Sequence, residues 1–93
     1  MINWIASVIA PHILEKGYKN ICEIGSSTGA ATDKILELTP ADVTIVDPCL
    51  DVNLIEKYQD NPRVNVAKGL SLDVIPTLRD RYDCILKIGR AHV

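Results

Sequence analysis

Short apolar segments recur along this chain about once every 20 residues. Four of them, residues 21–24, 43–46, 64–67 and 84–86, are rich in β-branched or aliphatic side chains and are flanked by turn-forming residues. This pattern is typical of strands that are buried on both faces of a sheet. Hairpin loops take only about 2–5 residues, so the longer spacing indicates a helix in each connection and parallel pairing of the strands.

The segments between these strands have the apolar spacing of amphipathic helices. Their predicted buried faces are Ala31, Ile35 and Leu38; Leu54, Ile55 and Tyr58; and Val74, Ile75 and Leu78. A further helical stretch, residues 2–16, precedes the first strand. We expect Pro11 to divide that stretch in two and Gly17 to end it. The order of elements predicts an α/β fold with one parallel sheet.

Composition and charge exclude several classes of protein. With 93 residues, of which 47% are hydrophobic and 24% charged, the chain has the size and composition of one globular domain. A net charge of −2 without a basic stripe argues against nucleic-acid binding. No apolar run approaches the ~20 residues of a membrane span, and no Lys or Arg precedes Lys16 as a signal peptide requires. Three cysteines without a Cys-x-x-Cys pair predict reduced thiols in a cytoplasmic protein, with neither a zinc site nor disulfides.

The stretch that carries candidate chemistry is Glu23-Ile-Gly25-Ser-Ser-Thr-Gly29, where a strand runs into small residues and a helix follows. Gly25 and Gly29 allow a tight turn and a close approach of the backbone to a ligand. The free N–H groups at the start of the helix face the same crevice. In open parallel sheets, ligands bind beyond the carboxyl ends of the strands, where the strand order reverses. We therefore predict a binding site at the end of the first strand.

The residues of this stretch narrow the class of ligand. A phosphate-binding loop requires Gly-Lys followed by Ser or Thr, and the chain has Gly-Ala-Ala from Gly29. The dinucleotide pattern Gly-x-Gly-x-x-Gly misses two glycines in either register that uses Gly25. A second acid, Asp47, ends the second strand, where such folds bind the two ribose hydroxyls. Because the carboxylate of Glu23 repels a pyrophosphate and tolerates a cation, we predict a nucleoside whose other end is positive or at least not a phosphate.

Four motifs in order carry a resemblance to a known family. The glycine stretch is followed by Val-Thr-Ile-Val-Asp47-Pro48, Lys68-Gly-Leu-Ser71-Leu and Tyr82-Asp-Cys-Ile-Leu. Together they resemble the N-terminal half of class I S-adenosylmethionine-dependent methyltransferases, over residues from about 18 to 87. The resemblance is greatest to small-molecule or glycan methyltransferases whose fourth strand runs into Asp-Gly-Asp-His. It implies a Rossmann-like parallel sheet of strand order 3-2-1-4, S-adenosyl-L-methionine as cofactor, and methyl transfer to a small-molecule or glycan acceptor.

The resemblance also implies a role for each candidate cofactor-binding residue. The methionine part would be lined by the backbone of Glu23, Gly25, Ser26 and Ser27, and Gly29 would allow a close approach at the start of the helix. The residues that would surround the adenosine are Asp47, which binds the ribose hydroxyls, and Pro48, Cys49, Gly69, Leu70 and Ser71, which enclose the adenine. Simpler roles stay open for three of these. Glu23 and Ser71 are also residues that cap helices, and Asp47 before a proline is also a turn former.

The C-terminal residues depart from the family pattern. After Leu86 the family continues with an acid-rich turn that faces the acceptor, whereas this chain reads Lys87-Ile-Gly-Arg-Ala-His-Val93. The last six residues resemble a translated sequencing adapter, the alternative being a natural short tail. We expect residues 1–87 to be the N-terminal, cofactor-binding part of an incomplete class I methyltransferase domain, and residues 88–93 to be a non-native tail. The residues that hold the acceptor would then be missing, so we assign no catalytic residue and no metal ligand within these positions, and we expect the fragment itself to be inactive.

A second hypothesis belongs to a different functional class. The chain would then be a non-catalytic Rossmann-like domain that binds a nucleotide of the NAD type. A structural fragment without a ligand is the third hypothesis. Binding of S-adenosylhomocysteine compared with NAD distinguishes the three. In all of them we expect no nucleic acid and no membrane among the partners.

Overall fold

The computed structural model describes residues 4–25, 29–47, 52–68 and 81–87. The helical elements in these ranges are a π-helical turn (Ile5–Ile9), α1 (Ala10–Lys16), α2 (Ala30–Leu38) and α3 (Val52–Tyr58). The strands are β1 (Asn20–Ile24), β2 (Asp42–Asp47), β3 (Val64–Lys68) and β4 (Cys84–Lys87). All four predicted strands are therefore present, together with the N-terminal helical stretch and the helices predicted around Ile35 and Leu54. The helix predicted around Val74 lies outside the described residues.

The four strands form one sheet in the order β3-β2-β1-β4. All three neighbouring pairs, β3 with β2, β2 with β1 and β1 with β4, run parallel. The chain winds outward from β1 to β3 and then returns to the other side of β1, so the winding direction reverses at β1. This arrangement confirms the predicted α/β fold and the strand order 3-2-1-4.

Both faces of the sheet are buried at its centre. On one face, Ile21 of β1 and Ile45 of β2 pack with helical residues such as Ile35 in the main apolar cluster. On the other face, Cys22 and Ile24 join Val46 of β2 in a second cluster, as expected for alternating side chains of a strand. Burial on both faces is what the continuous apolar character of these strands predicted.

The N-terminal helical stretch changes its type just before Pro11. Ala10 donates its N–H to the carbonyl of Ile5, which is the longer hydrogen bond of a π-helical turn, and regular α-helix follows. Proline has no N–H to donate and its ring crowds the preceding turn, so a locally widened helix accommodates it. The helix changes type here, but Ile9 and Ala10 both keep helical angles, so the predicted break at Pro11 is wrong. Gly17, with φ +68°, ends α1 as predicted.

The α2 helix presents a slightly different face from the predicted one. Ala31 and Ile35 are buried as expected, and Thr32 is buried with them. Leu38, the last residue of the helix, is 37% exposed, so its predicted place in the core is wrong. The buried face of α2 is thus rotated toward Thr32, whose hydroxyl donates a hydrogen bond to the buried carboxylate of Glu23.

Two side chains fasten the sheet at the amino ends of its strands. The Arg63 guanidinium donates hydrogen bonds to the carbonyls of Leu36, Thr39 and Ala41, at distances between 2.6 and 3.2 Å. Carbonyls at the end of a helix lack partners within it, and a positive charge is favourable there. The Asp83 carboxylate accepts hydrogen bonds from the backbone N–H groups of two residues, Lys19 at 2.7 Å and Asn20 at 3.0 Å, and these bonds hold the pKa of Asp83 below its usual range. Both contacts lie opposite the edge where the site is predicted.

The start of α2 is packed closely against α3. Gly29 precedes α2 with φ +85°, a conformation that residues with a side chain rarely adopt. A Cβ atom at this position would lie 2.7 Å from the Tyr58 hydroxyl oxygen and 3.0 Å from a Leu54 methyl carbon. Glycine at position 29 is therefore required by contact with α3 as well as by backbone conformation.

The two left-handed glycines allow these effects to be separated. Gly17→Ala introduces only the backbone strain, since a Cβ there meets nothing within 4 Å. We expect it to lower the free energy of unfolding by about 1–2 kcal/mol. Gly29→Ala adds overpacking, which costs about 1–3 kcal/mol more. Urea denaturation of the two variants measures the difference, and equal losses would show that Tyr58 and Leu54 move aside without cost.

Candidate functional site

The carboxyl ends of the four strands lie level with one another at one edge of the sheet. Ile24 of β1 pairs with Val46 of β2 and with Lys87 of β4. On the far side of β2, Asp47 pairs with Lys68 of β3. The glycine stretch and the second acid, which lie far apart in the sequence, therefore emerge side by side where the strand order reverses.

Gly25 continues the hydrogen bonding of β1 by one residue. Its N–H donates to the carbonyl of Val46 at 3.0 Å, and its φ of +79° then turns the chain away from the sheet. Because neighbouring strands are about 4.8 Å apart, the backbone of Gly25 lies beside that of Asp47, the last residue of β2. The backbones of Gly25 and Asp47 are therefore neighbours at this end of the sheet.

Glu23 is fully buried and is held by the first turns of α2. Its Oε2 accepts a hydrogen bond of 2.6 Å from the hydroxyl of Thr32, which is also fully buried. Buried carboxylates are costly unless hydrogen bonds compensate for the lost water, so this contact favours one orientation of the side chain. The acid of the glycine motif thus joins the end of β1 to α2. The sequence analysis missed Thr32, and its only signal was a polar β-branched residue beside the apolar positions of that helix.

Burial and nearby carboxylates raise the pKa values of the Cys22 thiol and the Tyr58 hydroxyl. Burial, and then the charge of Glu23, raise the pKa of the Cys22 thiol to about 11. Burial also raises the pKa of Tyr58 well above its usual range, and the hydrogen bond to Asp33 and the charges of Asp33 and Glu23 raise it further. Cys22 therefore stays a neutral thiol near pH 7 and is a poor nucleophile. A cationic ligand group brought near Glu23 would be stabilised by the same charge.

A second polar group lies at the first turn of α2. The Tyr58 hydroxyl is 3.0 Å from the carbonyl oxygen of Gly29 and 2.5 Å from Oδ1 of Asp33. Lys57 donates to the other carboxylate oxygen of Asp33 at 2.5 Å. Two consecutive residues of α3 therefore hold the start of α2. The sequence indicated Tyr58 only as a residue of the apolar face of its helix, and it gave no sign of the contact with Asp33.

The candidate residues divide into those that the structure describes and those that it does not. Glu23, Gly25, Gly29 and the backbone of Asp47 are brought to the ends of β1 and β2 and the start of α2. The predicted residues outside the described ranges are Ser26, Ser27, Pro48, Cys49, Gly69, Leu70 and Ser71. The predicted methionine side of the site thus has a structural framework, while the predicted adenine side remains a sequence prediction.

The described residues hold neither a cluster of metal ligands nor a membrane-spanning helix. Within residues 4–25, 29–47, 52–68 and 81–87, no group of three or more His, Cys, Asp or Glu side chains is placed to hold a metal ion. No helix in that part of the chain is long and apolar enough to cross a membrane. Cys22 and Cys84 are free cysteines.

Comparison with known proteins supports the fold. No family model and no curated protein match the chain. Among solved structures, it is similar to a protein described as a putative caffeoyl-CoA O-methyltransferase from Staphylococcus aureus, with a TM-score of 0.64 and 22% sequence identity. The match covers 86% of this chain and 42% of that one, so this chain spans less than half the length of its structural neighbour. The chain therefore shares the α/β, Rossmann-like fold of that protein over the part that the two have in common.

Proposed function

We propose that this chain is the S-adenosyl-L-methionine-binding part of a methyltransferase whose complete protein methylates a small-molecule or glycan acceptor. The observation that carries the proposal is the position of Asp47, at the end of β2 beside the glycine turn of β1. This is the crevice where open parallel sheets bind nucleosides. The fold shared with the solved methyltransferase supports the same proposal.

The residues at this edge fit the proposed cofactor by their chemistry. An acid after β2 accepts hydrogen bonds from both hydroxyls of a ribose. The Glu23 carboxyl is buried near the end of β1, and in its ionised form it would favour a sulfonium and oppose a pyrophosphate. Gly25 turns the backbone so that the chain passes close to the ligand. When bound, S-adenosyl-L-methionine supplies an activated methyl group, and these residues bind and orient it.

The acceptor is proposed more coarsely than the cofactor. Methyl transfer depends mainly on holding the acceptor in line with the methyl group. We place no catalytic residue among the 93 positions, because the family pattern assigns that work to the segment after the fourth strand. The description of the structural neighbour as an O-methyltransferase of a coenzyme A ester supports a small-molecule acceptor.

The same proposal includes the organisation of the chain. Residues 1–87 would be the N-terminal, cofactor-binding part of the domain, and residues 88–93, which lie outside the described ranges, a non-native tail. The 42% coverage of the neighbour supports the first part, and the adapter-like residues support the second. Unpaired cysteines on β1 and β4 fit the cytoplasmic location that we propose with it.

Calorimetry with two ligands tests the function directly. The protein to be used is the chain extended by its natural continuation, called the extended protein below. We expect it to bind S-adenosylhomocysteine and not NAD, because the chain lacks the glycines of a dinucleotide site. Binding of NAD alone would favour the non-catalytic nucleotide-binding domain. Binding of neither ligand would favour a structural role.

Asp47→Ala in the extended protein tests the ribose contact. Charge-assisted hydrogen bonds contribute about 1.5–3 kcal/mol each, and ~1.4 kcal/mol corresponds to a factor of ten. We therefore expect S-adenosylhomocysteine to bind at least about tenfold more weakly. Asp42→Ala is the matched control, because Asp42 is the first residue of the same strand and lies at its amino end, away from the candidate site. Unchanged affinity in Asp47→Ala would leave Asp47 as a turn residue only.

Removal of residues 88–93 tests the proposed organisation. Among the described strands, β4 pairs only with β1, and an unpaired apolar edge promotes aggregation. We expect the deletion to change the free energy of unfolding by less than about 0.5 kcal/mol. We expect the extended protein to be more soluble than the 93-residue chain. A soluble 93-residue monomer that melts cooperatively and is destabilised by the deletion would contradict both expectations.

A further inference from the structure

The hydroxyl of Tyr58 has two acceptors at the start of α2. Tyr58 is the last residue of α3 and is 4% exposed. The hydroxyl oxygen lies 3.0 Å from the Gly29 carbonyl oxygen and 2.5 Å from Oδ1 of Asp33, so its one hydrogen can be donated to either acceptor. Gly29 also accepts the first backbone hydrogen bond of α2, from the N–H of Asp33 at 2.9 Å. The hydroxyl thus contacts both ends of the first turn of that helix.

The ring of Tyr58 restricts the same turn by contact. The ideal Cβ position of Gly29 is 3.2 Å from the ring carbon Cε2 and 2.7 Å from the hydroxyl oxygen. A side chain at position 29 would therefore have no room on the side that faces α3. The Tyr58 hydroxyl also binds the carbonyl oxygen of Gly29. Together these contacts hold Gly29 beside Tyr58 at the start of α2.

The acceptor on Asp33 is itself held in place. Lys57 donates to Oδ2 of Asp33, which leaves Oδ1 for the Tyr58 hydroxyl. Burial and the neighbouring carboxylate raise the pKa of Tyr58, so the hydroxyl remains a donor throughout the physiological pH range. The contact is accordingly independent of pH in that range.

The position of α3 in the chain makes this contact relevant to ligand binding. The α3 helix follows Asp47 after the short segment 48–51, and its other end contacts Gly29. It therefore connects the strand that carries the proposed ribose acid with the end of the segment proposed for the methionine part. Pairing of β1 with β2 is the first connection between these two halves, and Tyr58 makes a second one.

We propose that Tyr58 is a positioning residue of the cofactor site. It acts through the Gly29 carbonyl and the Asp33 carboxylate to hold Gly29 at the start of α2, where the methionine part of the ligand is proposed to approach closely. The inference rests on the proposed function. A purely structural role predicts equal weakening of every ligand that binds the fold. A positioning role at Gly29 predicts that affinity is lost only for ligands that carry the amino-acid part.

Tyr58→Phe in the extended protein keeps the ring and removes only the hydroxyl. By calorimetry we expect S-adenosylhomocysteine to bind about tenfold more weakly, since ~1.4 kcal/mol corresponds to a factor of ten. We expect adenosine, which lacks the amino-acid part, to bind within about twofold of the unaltered protein. Tyr18→Phe is the matched control, because Tyr18 precedes β1 at the opposite edge of the sheet. That variant is expected to leave both affinities unchanged.

Two further measurements keep the test independent of the folding of one variant. Amide hydrogen exchange without ligand is expected to be faster at residues 29–33 in Tyr58→Phe than in Tyr18→Phe. Asp33→Ala removes the charged acceptor from a side chain that is 48% exposed and so leaves the core intact. We expect it to weaken S-adenosylhomocysteine about threefold, less than Tyr58→Phe, because the Gly29 acceptor remains.

Each outcome decides between the alternatives. Unchanged binding of S-adenosylhomocysteine by Tyr58→Phe, or unchanged exchange at residues 29–33, would overturn the role of Tyr58 and leave the proposed function intact. Equal losses for S-adenosylhomocysteine and adenosine would also overturn it, in favour of general destabilisation. An unaltered extended protein that binds neither ligand would overturn the proposed function and this inference with it.

Discussion

The structure depends on the burial of β1, in which every residue after Asn20 is buried. This strand has a hydrogen-bonded neighbour on each side, β2 and β4, and packed side chains on both faces. At the carboxyl end of a central strand of this kind, the backbone must turn sharply to leave the sheet. Gly25 makes that turn with a positive φ immediately after its last ladder hydrogen bond. The candidate site lies where it does because the winding direction of the sheet reverses at this strand.

Burial of β1 also explains the unusual environment of Glu23. Alternation along the strand places Ile21 and Glu23 on one face and Cys22 on the other. A carboxylate on a covered face needs polar partners, and Thr32 on α2 is one of them. The cost of burying this acid is thus offset by a contact that also orients α2. Under the proposed function, this acid is one reason to expect a ligand with positive charge rather than a pyrophosphate.

The two edges of the sheet differ in their polar contacts. At the amino ends, Arg63 and Asp83 bind backbone groups and so stabilise connections between elements. At the carboxyl ends, Asp47 stands at the last position of β2. The polar contacts near this end act on the start of α2, through Thr32 and Tyr58. The backbone contacts of Arg63 and Asp83 therefore lie at the amino ends of the strands, whereas the candidate site lies at their carboxyl ends.

Much of the fold was predictable because its signals are local. Apolar runs of β-branched residues identified the four strands, their spacing required parallel pairing, and Gly25 and Gly29 stood at the turns that the structure shows. The strand order came from the resemblance of four motifs to one family, and the structural neighbour has that fold. The position of Asp47 at a strand end was likewise readable from the end of an apolar run.

The contacts that hold the site together were not readable in this way. In the sequence, Thr32, Asp33 and Tyr58 cannot be distinguished from ordinary residues of amphipathic helices. Tyr58 lies 29 residues from the carbonyl it binds, and Arg63 lies 22 to 27 residues from its acceptors. Such pairs form only after the helices have packed on the sheet, which also decides that Thr32 rather than Leu38 is buried. The sequence by itself determined the elements, their parallel pairing and the edge that carries the acids, because periodicity and turn chemistry are local. Tertiary structure alone decided which polar side chains meet, because those meetings depend on how separate elements pack.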